Sequence, residues 1–120
     1  MPTLNYILLA VADPAASARF YTALLGREPV ENSPTFVLYV LPNGIKLGLW
    51  IANEIVPAPQ PAGGVEVTFS TSSDDDVRAT HAAWQQHATI LQQPTAMDFG
   101  FTFVAADPDG HRLRVFAPAA

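Results

Sequence analysis

Hydrophobic and polar positions in the first 26 residues change from a strand-like to a helix-like spacing. Residues 5–12 are an apolar, partly β-branched run, which predicts a strand covered on both faces. A helix is expected to begin at Asp13 or Pro14, because apolar residues then recur at helical spacing. Gly26 follows the last of them and is the expected C-cap.

Apolar runs separated by turn residues follow this helix. Strands are predicted over residues 35–41 and 45–51, joined through Asn43 and Gly44, which favour the positive φ angles of a tight hairpin. A weaker strand is predicted over residues 28–31. Prolines and a Gly-Gly pair in residues 52–64 exclude a helix or an interior strand, so this segment is interpreted as a linker.

The same order of elements recurs after the linker. A strand is predicted over residues 65–70, followed by a helix capped by Ser73, with three acidic residues in its first turn, running to about Ala88. The apolar face of this helix contains Val77, Trp84 and Ala88, with His81 at its margin. Further strands are predicted over residues 90–93, 99–105 and 112–116.

The two halves also match in their final hairpins. PNGIKLGLW at residues 42–50 aligns without a gap on PDGHRLRVF at residues 108–116. The simplest interpretation is an α+β fold of two βαβββ modules whose sheets form a shared cleft. We expect one domain over residues 1–120, with half one at 3–56, a linker at 57–63 and half two at 64–118.

Composition narrows the classes of partner. The formal charge of −5 disfavours nucleic acid, and no apolar run is long enough for a membrane-spanning helix. The chain contains no cysteine and shows no signal-peptide pattern near its N-terminus, so we expect a soluble, cytoplasmic protein. Only 14% of residues are charged and 49% are hydrophobic, which favours a homodimer or a ligand cavity, with a merely alanine- and proline-rich composition as the alternative.

Four short motifs resemble one known superfamily. VAD at residues 11–13, SARFY at 17–21 and LLG at 24–26 are similar to the first helix signature of the vicinal oxygen chelate superfamily, which includes glyoxalases, bleomycin resistance proteins and dioxygenases. DPDGH at residues 107–111 is similar to its final hairpin. The resemblance implies the paired curved sheets of that fold but selects no single function.

The resemblance also identifies where the superfamily's enzymes hold a divalent metal. The matching positions are Tyr6, Gly48, Glu66 and Arg114, and only Glu66 suits a metal. We therefore expect no metal, no other cofactor and no catalytic residue. His81, His87, His111 and the acidic residues 74–76 are interpreted as structural or surface residues.

The motif around Trp50 resembles a metal-free branch of the superfamily that binds phenazine-type aromatic antibiotics. Trp50 would stack on a planar ring, and Gly48, on the same strand face, would leave room for it, although Gly48 and Trp50 could equally be structural. The predicted ligand-binding residues are Tyr6, Phe36, Tyr39, Gly48, Trp50, Phe101, Phe103 and Arg114.

Arg114 and the function itself have several interpretations at this stage. The partner of Arg114 is Glu66, a ligand carboxylate, or solvent. The leading functional hypothesis is a binding protein that sequesters an aromatic small molecule as a form of antibiotic resistance. The alternatives are a metal-dependent glyoxalase or dioxygenase, and a metal-independent enzyme in which Tyr6, Glu66 or a histidine is the acid or base.

Overall fold

A computed structural model describes residues 1–120, and the chain divides into two units, Met1–Pro61 and Ala62–Ala120. In each unit a single α-helix packs on one face of a four-stranded sheet that has both parallel and antiparallel pairs. The predicted duplication of a βαβββ module is thereby confirmed. No helix of the chain has the length and apolar character needed to cross a membrane.

Unit 1 contains five regular elements before a short 3₁₀ turn at Ala52–Glu54. The elements are β1 (Tyr6–Val11), α1 (Pro14–Leu25), β2 (Glu31–Asn32), β3 (Phe36–Val40) and β4 (Lys46–Ile51). The strand order is β1-β4-β3-β2, with β1 parallel to β4. The weak strand predicted over residues 28–31 forms three residues later, as the two-residue β2.

The ends of α1 are as predicted. A carboxylate oxygen of Asp13 accepts the backbone N–H groups of Ala15 and Ala16 at 3.1 and 3.3 Å, so Asp13 is the N-cap. Gly26 has a φ of 65° and donates its backbone N–H to the Thr22 carbonyl, as expected for a left-handed C-cap.

The prediction that β1 is covered on both faces is wrong. Leu9 and Val11 are buried, whereas Tyr6 and Leu8 are 49% and 51% exposed. Alternate side chains of a strand point to opposite faces, and α1 covers only one face of this sheet. The other face of the sheet, which we call the helix-free face of unit 1, therefore presents apolar side chains.

Unit 2 repeats the arrangement with longer strands. Its elements are β5 (Glu66–Ser70), α2 (Asp74–Trp84), β6 (Thr89–Met97), β7 (Gly100–Ala106) and β8 (Arg112–Pro118). The strand order is β5-β8-β7-β6, with β5 parallel to β8. Strand β6 continues through Pro94 because it is an edge strand with irregular register, where a missing N–H is tolerated.

Helix α2 ends four residues earlier than predicted. Ser73 caps its start by accepting the Asp76 N–H at 3.1 Å, as expected. At its end, the N–H groups of His87 and Ala88 both donate to the Trp84 carbonyl, so the chain tightens into a turn directly after Trp84.

The internal repeat extends to strand register. Leu8 pairs with Gly48 in unit 1, and Thr68 pairs with Arg114 in unit 2. The sequence alignment matches Gly48 with Arg114, so the two parallel pairs are equivalent positions of the duplicated module.

Candidate ligand-binding site

The helix-free face of unit 1 contains most of the predicted ligand-binding residues. Besides Glu31 of the edge strand β2, which pairs with Leu38, its side chains come from every second position of β1, β3 and β4. They are Tyr6, Leu8, Ala10, Phe36, Leu38, Val40, Lys46, Gly48 and Trp50. The face is mainly apolar, and Tyr6, Leu8 and Val40 are exposed.

Trp50 and Phe36 form an aromatic pair on this face. They are directly opposite each other on the antiparallel strands β4 and β3, and both are half-buried. On the other side of Trp50, the parallel strand β1 places Ala10, which has a small side chain. Partly exposed aromatic rings side by side are suited to stacking on a planar molecule.

Of the two roles predicted for Gly48, the structure has the structural one, close packing of its neighbours. A Cβ at this position would lie 2.6 Å from Leu8 Cδ2 and 3.0 Å from Phe36 Cζ. The volume beside Trp50 is thus occupied by two side chains of the protein. Leu8 was missed in the sequence analysis, although strand alternation places it on the same face as Tyr6.

Tyr39 does not belong to the site, which corrects the prediction. It is fully buried, on the face covered by α1. Its hydroxyl donates to the Ala18 carbonyl at 3.0 Å and lies 2.8 Å from Thr22 Oγ1, which therefore acts as donor. Burial raises the pKa of Tyr39 above 10.0, the Glu28 charge adds to this, and the Thr22 hydrogen bond opposes it.

Phe101 and Phe103 are also placed on a helix-covered face, that of unit 2. Phe103 is fully buried, with its ring centroid 5.7 Å from Trp84 and 5.3 Å from His81 of α2. The Arg78 guanidinium lies 4.6 Å from the centroid of Phe101. Phe103 is therefore a core residue that packs against α2 and cannot be a ligand wall, which corrects the prediction. Phe101 is half-buried on the same face, where it contacts Arg78 of α2.

Arg114 is paired with Glu66. Its Nε donates to Glu66 Oε1 at 2.7 Å and its Nη2 to Glu66 Oε2 at 3.1 Å, a bidentate geometry. Arg112 also donates to Oε2, through Nε at 3.0 Å and Nη2 at 2.9 Å. The hydrogen bond from Arg114 is the main reason why the pKa of Glu66 lies below its ordinary value, while partial burial opposes it. Of the three predicted partners of Arg114, namely Glu66, a ligand carboxylate and solvent, the structure has Glu66.

Lys46 is a member of the helix-free face that the sequence analysis did not consider. It pairs with Tyr6 on β1, and its Nζ is 5.2 Å from the centroid of the Tyr6 ring. Lys46 is two residues from Gly48 and four from Trp50, so all three lie on the same face of β4.

Comparison with known proteins identifies the family. The model of the Glyoxalase/Bleomycin resistance protein/Dioxygenase superfamily matches residues 3–115. The chain belongs to this superfamily, and its two four-stranded sheets and two helices have the vicinal oxygen chelate fold.

Individual relatives add detail. The chain is 27% identical over 117 residues to the phenazine antibiotic resistance protein EhpR of Enterobacter agglomerans, covering 94% of this chain and 90% of that protein. It is 49% identical to protein ATC0852 of Agrobacterium tumefaciens, solved by solution NMR, with a TM-score of 0.92 and full coverage of both chains. A glyoxalase/bleomycin resistance protein/dioxygenase from Nocardioides is 25% identical, with a TM-score of 0.84, covering 98% of this chain and 84% of that one.

The residues at the superfamily's metal positions do not fit a divalent metal. Gly48 offers no ligand, and Arg114 is a cation. Glu66 uses both carboxylate oxygens to accept hydrogen bonds from Arg112 and Arg114. No group of three or more His, Cys, Asp or Glu side chains is arranged to hold a metal ion.

Proposed function

We propose that this protein is a metal-independent binding protein that sequesters a planar aromatic small molecule of the phenazine type, as a form of antibiotic resistance. The observation that carries the proposal is the half-buried pair of Trp50 and Phe36 on the helix-free face of unit 1. Stacking on these rings and covering the exposed side chain of Leu8 would both contribute favourable binding free energy for a flat, hydrophobic ligand.

The similarity to EhpR supports the class of ligand. That relative is named for resistance to phenazine antibiotics, and its similarity covers nearly all of this chain. The distribution of charge on the helix-free face is compatible with the same class, because its only charged residues are Lys46 on β4 and Glu31, which lies opposite Leu38 on the edge strand β2. Apolar contact is thus the main recognition that this face offers.

Metal independence is supported by the state of Glu66. Binding a metal there would require the carboxylate to exchange two guanidinium partners for the ion, next to the positive charges that remain. Two cations beside the position disfavour a third.

The test is a titration of chelator-treated protein with phenazine, in which binding is measured by calorimetry and by tryptophan fluorescence. The chain has two tryptophans, so Trp84→Phe leaves Trp50 as the sole reporter. We expect saturable quenching in this variant without added metal. Trp50→Ala should weaken the calorimetric affinity by about 30-fold, the loss typical of a dominant aromatic contact.

Trp84→Phe is also the matched control, because Trp84 is buried against Phe69 and Phe103 on the helix side of unit 2. It should retain the affinity of the unmodified chain. Binding that requires added Mg²⁺, Mn²⁺ or Zn²⁺, or turnover of the phenazine, would contradict the proposal and favour the metal-dependent enzyme.

We also propose that the protein is a homodimer. Exposed apolar side chains lie on or next to the edge strand β6, namely Leu91, Met97 and Phe99. An unpaired strand edge with apolar side chains favours association with a second chain. Light scattering coupled to size-exclusion chromatography tests this, and a monomeric mass at micromolar concentration would contradict it.

A further inference from the structure

We propose that Lys46 recognises an anionic group on the ligand, so that the preferred ligand is a planar aromatic acid. This inference rests on the proposed function, since it assigns a second contact on the same helix-free face as Trp50. It concerns the chemical class of the ligand and adds a residue that determines specificity.

Lys46 is a cation with no acidic partner. It is the single lysine of the chain, and it forms no salt bridge with any carboxylate. Its Nζ lies near the ring of Tyr6, a contact that leaves its donors free for an anion. An apolar ligand that covered this face would partly desolvate the ammonium group, which is costly unless the ligand supplies a negative charge.

Arg114, the other cation predicted to bind a ligand carboxylate, already has partners within the protein. All three nitrogens of its guanidinium have partners: Nε and Nη2 bond to Glu66, and Nη1 lies within reach of Thr102 at 3.2 Å. A ligand carboxylate would have to compete with a bidentate pair. A ligand carboxylate could bind Lys46 without displacing a carboxylate of the protein.

The spacing along β4 fits one elongated ligand. Lys46 and Trp50 are four residues apart, about 13 Å along an extended strand. Gly48 lies between them, and the side chains of Leu8 and Phe36 fill the volume above it, so a ligand that reaches from Trp50 to Lys46 would lie across these two apolar side chains. A fused-ring acid stacked beside Trp50 can therefore direct its carboxylate toward the Lys46 ammonium, which is carried on a flexible stem.

The net charge of the chain makes this local cation necessary. At a formal charge of −5, the protein as a whole repels anions. A preference for an acidic ligand must therefore come from a positive group at the site, and the effect should weaken as salt is added.

The experiment compares phenazine with phenazine-1-carboxylate by calorimetry, using the full chain and the variants Lys46→Gln and Arg19→Gln. Arg19→Gln removes one positive charge, as Lys46→Gln does. Arg19 is an exposed residue of α1, on the opposite side of the sheet, so its variant is the matched control. We expect the acid to bind the unmodified chain and Arg19→Gln about tenfold more tightly than phenazine. Lys46→Gln should bind the two compounds equally.

A second measurement uses the lone lysine without any substitution. Acetylation of Lys46 by an N-hydroxysuccinimide ester, followed by mass spectrometry, should be slowed by phenazine-1-carboxylate more than by phenazine at equal occupancy. If the unmodified chain bound neither compound, the proposed function itself would fail. If it bound both but Lys46→Gln kept the tenfold preference, only the role of Lys46 would be overturned.

Discussion

Glu66 and Arg114 form a bidentate ion pair across the parallel strands β5 and β8, with the shorter bond, from Arg114 Nε to Glu66 Oε1, at 2.7 Å. The pair has 28% and 18% side-chain exposure, so it is screened less than a surface pair. Glu66 and Arg114 are two of the four positions that the resemblance matches to the metal ligands of the superfamily's enzymes. The ion pair engages both carboxylate oxygens of Glu66.

This pair predicts how stability depends on pH. The folded state holds the pKa of Glu66 below 4.5, because Arg114 donates to the ionised carboxylate. The stabilisation is therefore complete above pH 4.5 and is lost as pH falls through the lower pKa of the folded state. Glu66→Gln should lower the free energy of unfolding at pH 7 by about 1–3 kcal/mol and flatten its decline in acid, as measured by urea denaturation.

The control is Asp75→Asn, which removes an ion pair of another kind. Asp75 accepts a hydrogen bond from Arg78 at 3.0 Å on the surface of α2, and its side chain is 94% exposed. This variant should leave the urea midpoint unchanged at pH 7 and in acid. An equal effect of the two variants would contradict the assigned role of Glu66.

The contact of Leu8 with Gly48 predicts a coupled pair of substitutions. Gly48 has no positive φ, so alanine is compatible with its backbone and the effect is purely steric. Gly48→Ala should lower the free energy of unfolding by about 1–2 kcal/mol, because its methyl group would overlap Leu8 and press on Phe36. The double variant with Leu8→Ala should recover most of that loss.

A double-mutant cycle measured by urea denaturation gives the coupling energy. Gly110→Ala is not a suitable control, because Gly110 has a φ of 90°, a backbone conformation that is unfavourable for alanine. Gly64→Ala is suitable, since a Cβ there meets nothing within 4 Å and the φ is not positive. Additive effects of Gly48→Ala and Leu8→Ala would show that the two residues do not compete for one volume.

The fold could be predicted from local signals, whereas the site required the faces of the strands to be known. Asp13, Gly26 and Ser73 are at helix ends in sequence and structure alike, because caps depend on their own few neighbours. Phe36 and Tyr39 are three residues apart on one strand, so they lie on opposite faces and could not both line one site. This error was avoidable from the sequence.

Other features could not be read from the sequence. The pairing of Arg114 with Glu66 depends on β5 lying beside β8, a contact between residues 48 positions apart. Phe101 and Phe103 form an aromatic row that is compatible with a core or with a ligand wall, and only the position of α2 decides between them.

Tyr39→Phe tests whether Tyr39 is structural. Removing the hydroxyl leaves the Ala18 carbonyl and the Thr22 hydroxyl without this buried partner, so the free energy of unfolding should fall by about 1 kcal/mol. Affinity for phenazine, measured by calorimetry at a temperature where the variant is fully folded, should not change. A drop in affinity with unchanged stability would return Tyr39 to the binding site.

His81 predicts a stabilising substitution. Its Nε2 is buried without a hydrogen-bond partner, and its ring packs edge-on against Phe103 at 5.3 Å between centroids. An unsatisfied buried nitrogen costs free energy, so His81→Leu should raise the free energy of unfolding by about 1 kcal/mol in urea denaturation at pH 7. The same change at the exposed His87 should bring no gain. A fall in the free energy of unfolding of His81→Leu would contradict this prediction.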